Sequence, residues 1–225
     1  MSAQTEDLIS QLNSLANAQN VSGMARFGIN THHALGISIY DLRRIAQRVE
    51  PSHDLAEELW ATGIHEARIL ASYIERPGWM SEDQLERWVS DFDSWDVCDQ
   101  VCGLFEETPF AYAKVFEWSE RPEEFVKRAA FAIIAGLAVH DKDANDEKLA
   151  LFFPVIVREA TDGRNFVKKA VNWALRNLGK RDQRLNGLAI LTARHIQQIN
   201  DRSARWIASD ALRELESEKV QGRLK

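Results

Sequence analysis

The sequence is spaced for helices and for little else. Apolar residues recur at intervals of three and four through most of its 225 residues, and no sustained alternation of apolar and polar residues marks a strand. Five prolines and eleven glycines are all that punctuate the pattern. They fall where helices would begin or end, at Pro51, Pro77-Gly78, Pro109, Pro122, Pro154, Gly163 and Gly179. Thr108-Pro109 and Arg121-Pro122 read as helix starts, because the N–H that proline lacks has no partner in a first turn anyway. The expected fold class is all-α.

Four of the segments resemble one another: 65–74, 126–135, 167–176 and 203–213. Each carries a basic residue near its start and then small and bulky apolar residues at helical spacing. Arg128 and Lys169 are 41 positions apart, and Lys169 and Arg205 are 36 apart. Periods of this length suggest stacked helix pairs of the HEAT type, in which one pair cannot cover its own apolar face and neighbours must stack. The expectation is one HEAT-like repeat domain over residues 1–225, with an N-terminal helix within 1–20 and a frayed tail at 218–225. Such a stack is an α–α superhelix whose inner helices line a concave face. Basic residues at the inner-helix starts would set positive charge along that face, beside N-terminal amides that also attract anions.

The net charge of −6 argues against simple binding of a polyanion, but its distribution does not. Residues 1–120 hold 8 basic and 20 acidic residues, whereas residues 121–225 hold 20 basic and 14 acidic ones. A nucleic acid could dock on the basic half alone. No apolar run approaches the roughly 20 residues needed to span a bilayer, so no membrane role is expected. The acidic, polar start MSAQTEDLIS has no signal-peptide core. The two cysteines, Cys98 and Cys102, are four apart on a helical pattern and make a poor disulfide framework. A reducing cytoplasm is the expected compartment, and a monomer the expected state.

Two stretches carry groups suited to chemistry on a cation. In 88–100, Ser94 reads as an N-cap with the helix beginning near Trp95. Trp95 and Asp99 then share one face, an indole beside a carboxylate, while Asp96 falls on another azimuth. In 166–181, Lys169, Trp173 and Arg176 lie on adjacent turns of one face, and basic and aromatic groups interleaved in this way can hold phosphate and sugar. Arg128 opens a third, strongly apolar helix.

These stretches resemble the DNA alkylation repair glycosylases of the AlkD type. The resemblance runs from Met24-Ala-Arg-Phe-Gly28 and residues 35–46 through Ile64-His-Glu-Ala-Arg68 to the last repeat. It is most specific at Trp95-Asp-Val-Cys-Asp99, Lys127-Arg128 and Asn172-Trp173-Ala-Leu-Arg176. It implies a catalytic set of Asp99, Trp95, Trp173 and Arg128, with DNA contacts from Lys127, Lys168, Lys169, Arg176, Lys180 and Arg205. The implied partner is duplex DNA containing alkylated bases, with no cofactor and no metal.

The implied reaction suits the residues. Alkylation at N3 or N7 makes a purine cationic and its glycosidic bond labile, so the enzyme need only steady the cationic sugar that develops as the bond breaks. Asp99 would do this electrostatically and position water. Trp95 and Trp173 would pack on the deoxyribose, and Arg128 would hold the adjoining phosphate. No pocket-building insertion is evident, and the resemblance implies action at the sugar without enclosing the base. The other reading that the residues leave open is a non-catalytic repeat module that binds DNA or a protein.

Other chemistries lack their residues. His65-Glu66 begins like a zinc-protease helix, but Ile69 stands where the second histidine belongs. His32-His33 with Cys98 and Cys102 form no recognisable metal pattern, and the cysteines are expected in the core. No phosphate-binding glycine motif is present. Asp96 and Asp99, three apart on a helix, cannot flank a sugar from opposite sides.

Overall fold

The computed structural model describes residues 1–224; Lys225, the last residue of the expected tail, lies outside them. The described residues form helices and no strand. They divide into two compact units, Met1–Phe110 and the described residues from Ala111 onward. Unit 1 contains α1 (Ala3–Ser14), α2 (Ala18–Arg26), α3 (Ile39–Ala46), α4 (His53–Ala61), α5 (His65–Ile74), α6 (Glu82–Ser90) and α7 (Trp95–Phe105). Unit 2 contains α8 (Ala111–Trp118), α9 (Glu124–His140), α10 (Asp146–Ala150), α11 (Phe152–Glu159), α12 (Asn165–Leu178), α13 (Gln183–Gln197), α14 (Arg202–Leu215) and α15 (Glu218–Gln221). The expected N-terminal helix is two helices, broken after Ser14, with Asn17 capping the second.

The four mutually similar segments are α5 and the apolar parts of α9, α12 and α14. In unit 1, α5 is central and packs on α3, α4 and α7. It buries eight of its residues, among them His65 and Glu66. Trp60 of α4 and Trp88 of α6 stack with ring centroids 4.0 Å apart and planes 3° from parallel. Their indole N–H groups donate to Asp91 and Glu57, so two large apolar bodies are buried without orphaning their polar ends.

In unit 2, α9 is apolar nearly all round and buries twelve residues, as a helix must when neighbours cover every face. It packs chiefly on α12, and α12 on α14. Gly179 ends α12, where a Cβ would come within 2.7 Å of side-chain atoms of both Ala189 and Leu215. Glycine is there to let α12, α13 and α14 approach closely. Pro109 and Pro122 stand two residues before α8 and α9, while Pro154 falls in the first turn of α11. Cys98 and Cys102 are both buried and form no disulfide, and burial together with contact from Cys98 raises the pKa of Cys102.

Most helices begin with a conventional cap. The side chains of Ser2, Asn17, Ser38, Ser52, Ser81, Asn145, Asp182 and Asp201 accept from N–H groups of their first turns. No side-chain cap is made at α5, α7, α9, α11 or α12. Three of these five helices carry the site residues expected from the sequence.

Candidate functional site

In unit 1, α7 places Trp95 in its first turn and Asp99 one turn later, both half-buried. Ser94 is at the N-cap with extended backbone, as its spacing predicts, but its side chain does not cap. Its Oγ accepts instead from the backbone N–H of Asn30 at 2.7 Å. The indole N–H of Trp95 donates to the Phe27 carbonyl at 3.1 Å, which fixes the ring orientation. The residue after Asp99, Gln100, accepts from the Tyr73 hydroxyl at 2.5 Å.

Asp96 serves a different purpose from Asp99. Its Oδ2 lies 2.8 Å from Nε2 of His65, whose side chain is only 4% exposed. Burial disfavours the charged ring, but the hydrogen bond and charge of Asp96, with Glu66 and Asp93 nearby, outweigh it and raise the pKa of His65. The other oxygen, Oδ1, is buried with no hydrogen-bond partner among the described residues. Glu66, equally buried, accepts from three successive backbone N–H groups, those of Leu35, Gly36 and Ile37. Gly36 sits at φ +79°, and a Cβ there would meet the Asn17 carbonyl oxygen at 2.3 Å. The incomplete zinc-protease pattern at 65–66 is thus a clamp on the segment leading into α3. Among the described residues no group of His, Cys, Asp and Glu could hold a metal ion.

In unit 2, Arg128 lies in the first turns of α9 and is 6% exposed, and its Nη1 donates to the Phe166 carbonyl at 2.6 Å. This fastens the start of α12 to α9. Along α12, Lys169 is exposed while Trp173 and Arg176 are half-buried. Asn172 and Arg176, four apart, both reach Asp210 of α14, at 2.7 and 3.3 Å. Arg176 also pairs with Glu214, which lies 3.0 Å from Lys180. The motif 172–176 is therefore partly structural: its amide and guanidinium tie α12 to α14, and Trp173 stands between them in sequence.

The six expected DNA-contacting cations separate into two sets. Lys127 is 12% exposed and pairs with Glu159 and Asp162. Arg176 is engaged as just described. Lys168, Lys169, Lys180 and Arg205 keep more exposure. Lys168 Nζ lies 4.9 Å from the ring centroid of Trp206, an indole 40% exposed, and Arg205 donates to the Asn200 side chain. The start of α12 is electrostatically unusual. It has no side-chain cap, no acidic residue in its first turn, and Lys168 and Lys169 just beyond. Cations at the positive end of a helix dipole repel it, and an arriving anion relieves both that repulsion and the open amides.

An all-helical repeat of this kind, with basic residues set at uncapped helix starts, falls in a known class. The family model described as DNA alkylation repair enzyme matches residues 8–215, and the chain belongs to that family. A solved structure described as "a new family of proteins related to the HEAT-like repeat DNA glycosylases with affinity for branched DNA structures" superposes with TM-score 0.76 at 19% identity, covering 93% of this chain and 94% of that one. It shows the same HEAT-like fold. An engineered protein (TM-score 0.41, 12% identity, 96% of this chain and 99% of that one) and a designed armadillo repeat protein (0.34, 16%, 78% and 92%) overlap too weakly to inform it. No curated protein matches the sequence.

The sequence pointed to Trp95, Asp99 and the α12 stripe without distinguishing structural cations from exposed ones. It also missed the pairing of His65 with Asp96, which are 31 positions apart. The repeat at 65–74, the incomplete zinc-protease pattern at 65–66 and the resemblance at 64–68 drew attention to that region without pointing to the pair.

Proposed function

We propose that the protein is a monofunctional DNA glycosylase that releases positively charged alkylated purines, of the 3-methyladenine and 7-methylguanine type, from duplex DNA. The observation that carries this reading is the Trp95–Asp99 pair on successive turns of α7, in a chain belonging to the alkylation repair family. Asp99 stabilises the oxocarbenium-like sugar and positions water. Trp95, with its ring fixed by the Phe27 carbonyl, packs on the deoxyribose and excludes other solvent. Trp173 acts on the sugar in the same way. Arg128, held in one orientation by the Phe166 carbonyl, contacts the adjoining phosphate. Lys168 and Lys169, with the open start of α12, grip the backbone, and Lys180 and Arg205 add exposed charge.

The test is release of base from methylated duplex DNA. Asp99→Asn keeps the shape and removes the charge, so release falls by about 100- to 1,000-fold while DNA affinity is kept or rises. An Asp99→Asn variant as active as the parent would end the proposal. Because selectivity comes from the lability of the charged lesion, uracil and hypoxanthine are poor substrates, and rapid release of either from a duplex would count equally against it.

A second reading is favoured by the structural neighbour, which is described as having affinity for branched DNA. Here the chain binds DNA without cleaving it. Binding to duplex or four-way junction with no release of base by the parent protein would establish this reading instead.

A further inference from the structure

Unit 1 contains a cavity of about 850 Å³ that shares Trp95 with the proposed sugar chemistry but is otherwise not used by it. It lies within the roughly 300–1,000 Å³ of small-molecule sites, and most of the surface it presents is apolar, although polar side chains stand among its walls. Met24, Phe27, Ile37, Ile69 and Trp95 line it, and Arg26, His65, Glu66 and Asp96 border it.

Helix α2 forms part of the wall and is unusual. Alone among the fifteen α-helices of the described residues, it buries nothing. Val21 and Met24 on its inner side remain half-exposed, and Phe27 just beyond it is 72% exposed. The helix is tied at its edges by hydrogen bonds to main-chain carbonyls. Asn17 N–H donates to the Leu35 carbonyl, the Asn20 amide to the Gly36 carbonyl, and Trp95 Nε1 to the Phe27 carbonyl. An amphipathic helix held off its own core leaves apolar surface for something else to cover.

The chemistry of the walls narrows what that is. Trp95 offers a fixed indole face for stacking. Asp96 is paired with His65, and its second oxygen is buried beneath the wall rather than open to the cavity. Residues 1–120 carry 20 acidic groups against 8 basic ones, which disfavours anything bearing a phosphate. We infer that this cavity binds a free, planar, purine-sized nitrogen heterocycle that is neutral or cationic and carries no phosphate. Naming the alkylated purine as that heterocycle rests on the proposed function; it would then be a site for the released base.

Gly23 provides the test. It lies in α2 on the cavity wall, and an added Cβ meets nothing within 4 Å. Gly23→Ala therefore leaves room, and Gly23→Leu fills the space while favouring the helix. Calorimetric titration of the full chain with 3-methyladenine, adenine and adenosine 5′-monophosphate is the measurement. Saturable binding of the free bases is expected, strongest for 3-methyladenine and weakest for the monophosphate. Gly23→Ala keeps it, and Gly23→Leu weakens it by at least about tenfold, roughly 1.4 kcal/mol, with unchanged circular dichroism and melting. No saturable binding by the parent, or equal binding by Gly23→Leu, overturns the inference, as does preference for the monophosphate. Base release from DNA is scored separately. A chain that binds the free base but releases none keeps this site and loses the glycosylase reading, and a chain that releases base yet binds none free does the reverse.

Discussion

Nε2 of His65 and Oδ2 of Asp96 lie 2.8 Å apart, joining the first residue of α5 to the first turn of α7, the helix that carries Trp95 and Asp99. Two groups 31 positions apart thus fix the helix start from which the candidate carboxylate projects. Asp96 is spent on this task, which separates the roles of two aspartates that differ little in local sequence.

The pair makes stability depend on pH in a definite direction. The pKa of His65 in the folded chain is raised above its ordinary value. Its contribution is therefore fully present below about pH 6.5, the usual histidine value, and is lost as pH rises through the higher folded value. In urea unfolding, the stability gap between the parent and His65→Gln is expected to be widest near pH 5.5 and to narrow toward pH 9. A gap that widens with pH would show that His65 is held neutral.

Lys127 and Lys169 look alike in sequence and are predicted to behave oppositely. Lys127 is nearly buried between Glu159 and Asp162, so Lys127→Ala strands those carboxylates and costs about 3 kcal/mol of stability. Its salt-dependent DNA binding changes little once the variant is compared at a temperature where it is folded. Lys169 is exposed, and Lys169→Ala leaves the melting temperature alone. Denaturant titration paired with DNA binding for both variants is the check, and a reversed pattern would refute the assignment.

The open start of α12 predicts a salt effect. Lys168→Ala and Lys169→Ala each lower the slope of log affinity against log salt by about one, the value for one lost phosphate contact. Fluorescence anisotropy on an undamaged duplex between 50 and 200 mM salt, a range over which such contacts are legible, measures it. Unaltered slopes would place the phosphates elsewhere.

The centre of unit 2 sets a packing prediction. Phe131 of α9 is fully buried, and Phe131→Ala removes its transfer energy and leaves a cavity, at a cost of about 3–5 kcal/mol. Gly179→Ala destabilises through the opposite fault, because its Cβ collides with Ala189 and Leu215, costing about 1–3 kcal/mol. Both are read as shifts in the denaturation midpoint.

Much of this molecule was written locally. Helical spacing and the prolines and glycines between helices depend on near neighbours, so the all-helical class and the break points at Pro51, Pro122 and Gly179 follow from the chain alone. The same local geometry sets Asp99 one turn after Trp95, because residues four apart on a helix must share a face. Which charges are free was decided by tertiary structure. Arg176 and Lys169 belong to one helix, yet Asp210 and Glu214, arriving from α14, engage the first and leave the second. Ser94 has the sequence of a cap, yet its hydroxyl oxygen accepts from the backbone N–H of Asn30, 64 positions away. The cavity against α2 likewise depends on how far that helix stands from the core. Such outcomes turn on partners distant along the chain, and an ion pair or a void is a property of the packed set rather than of any one segment.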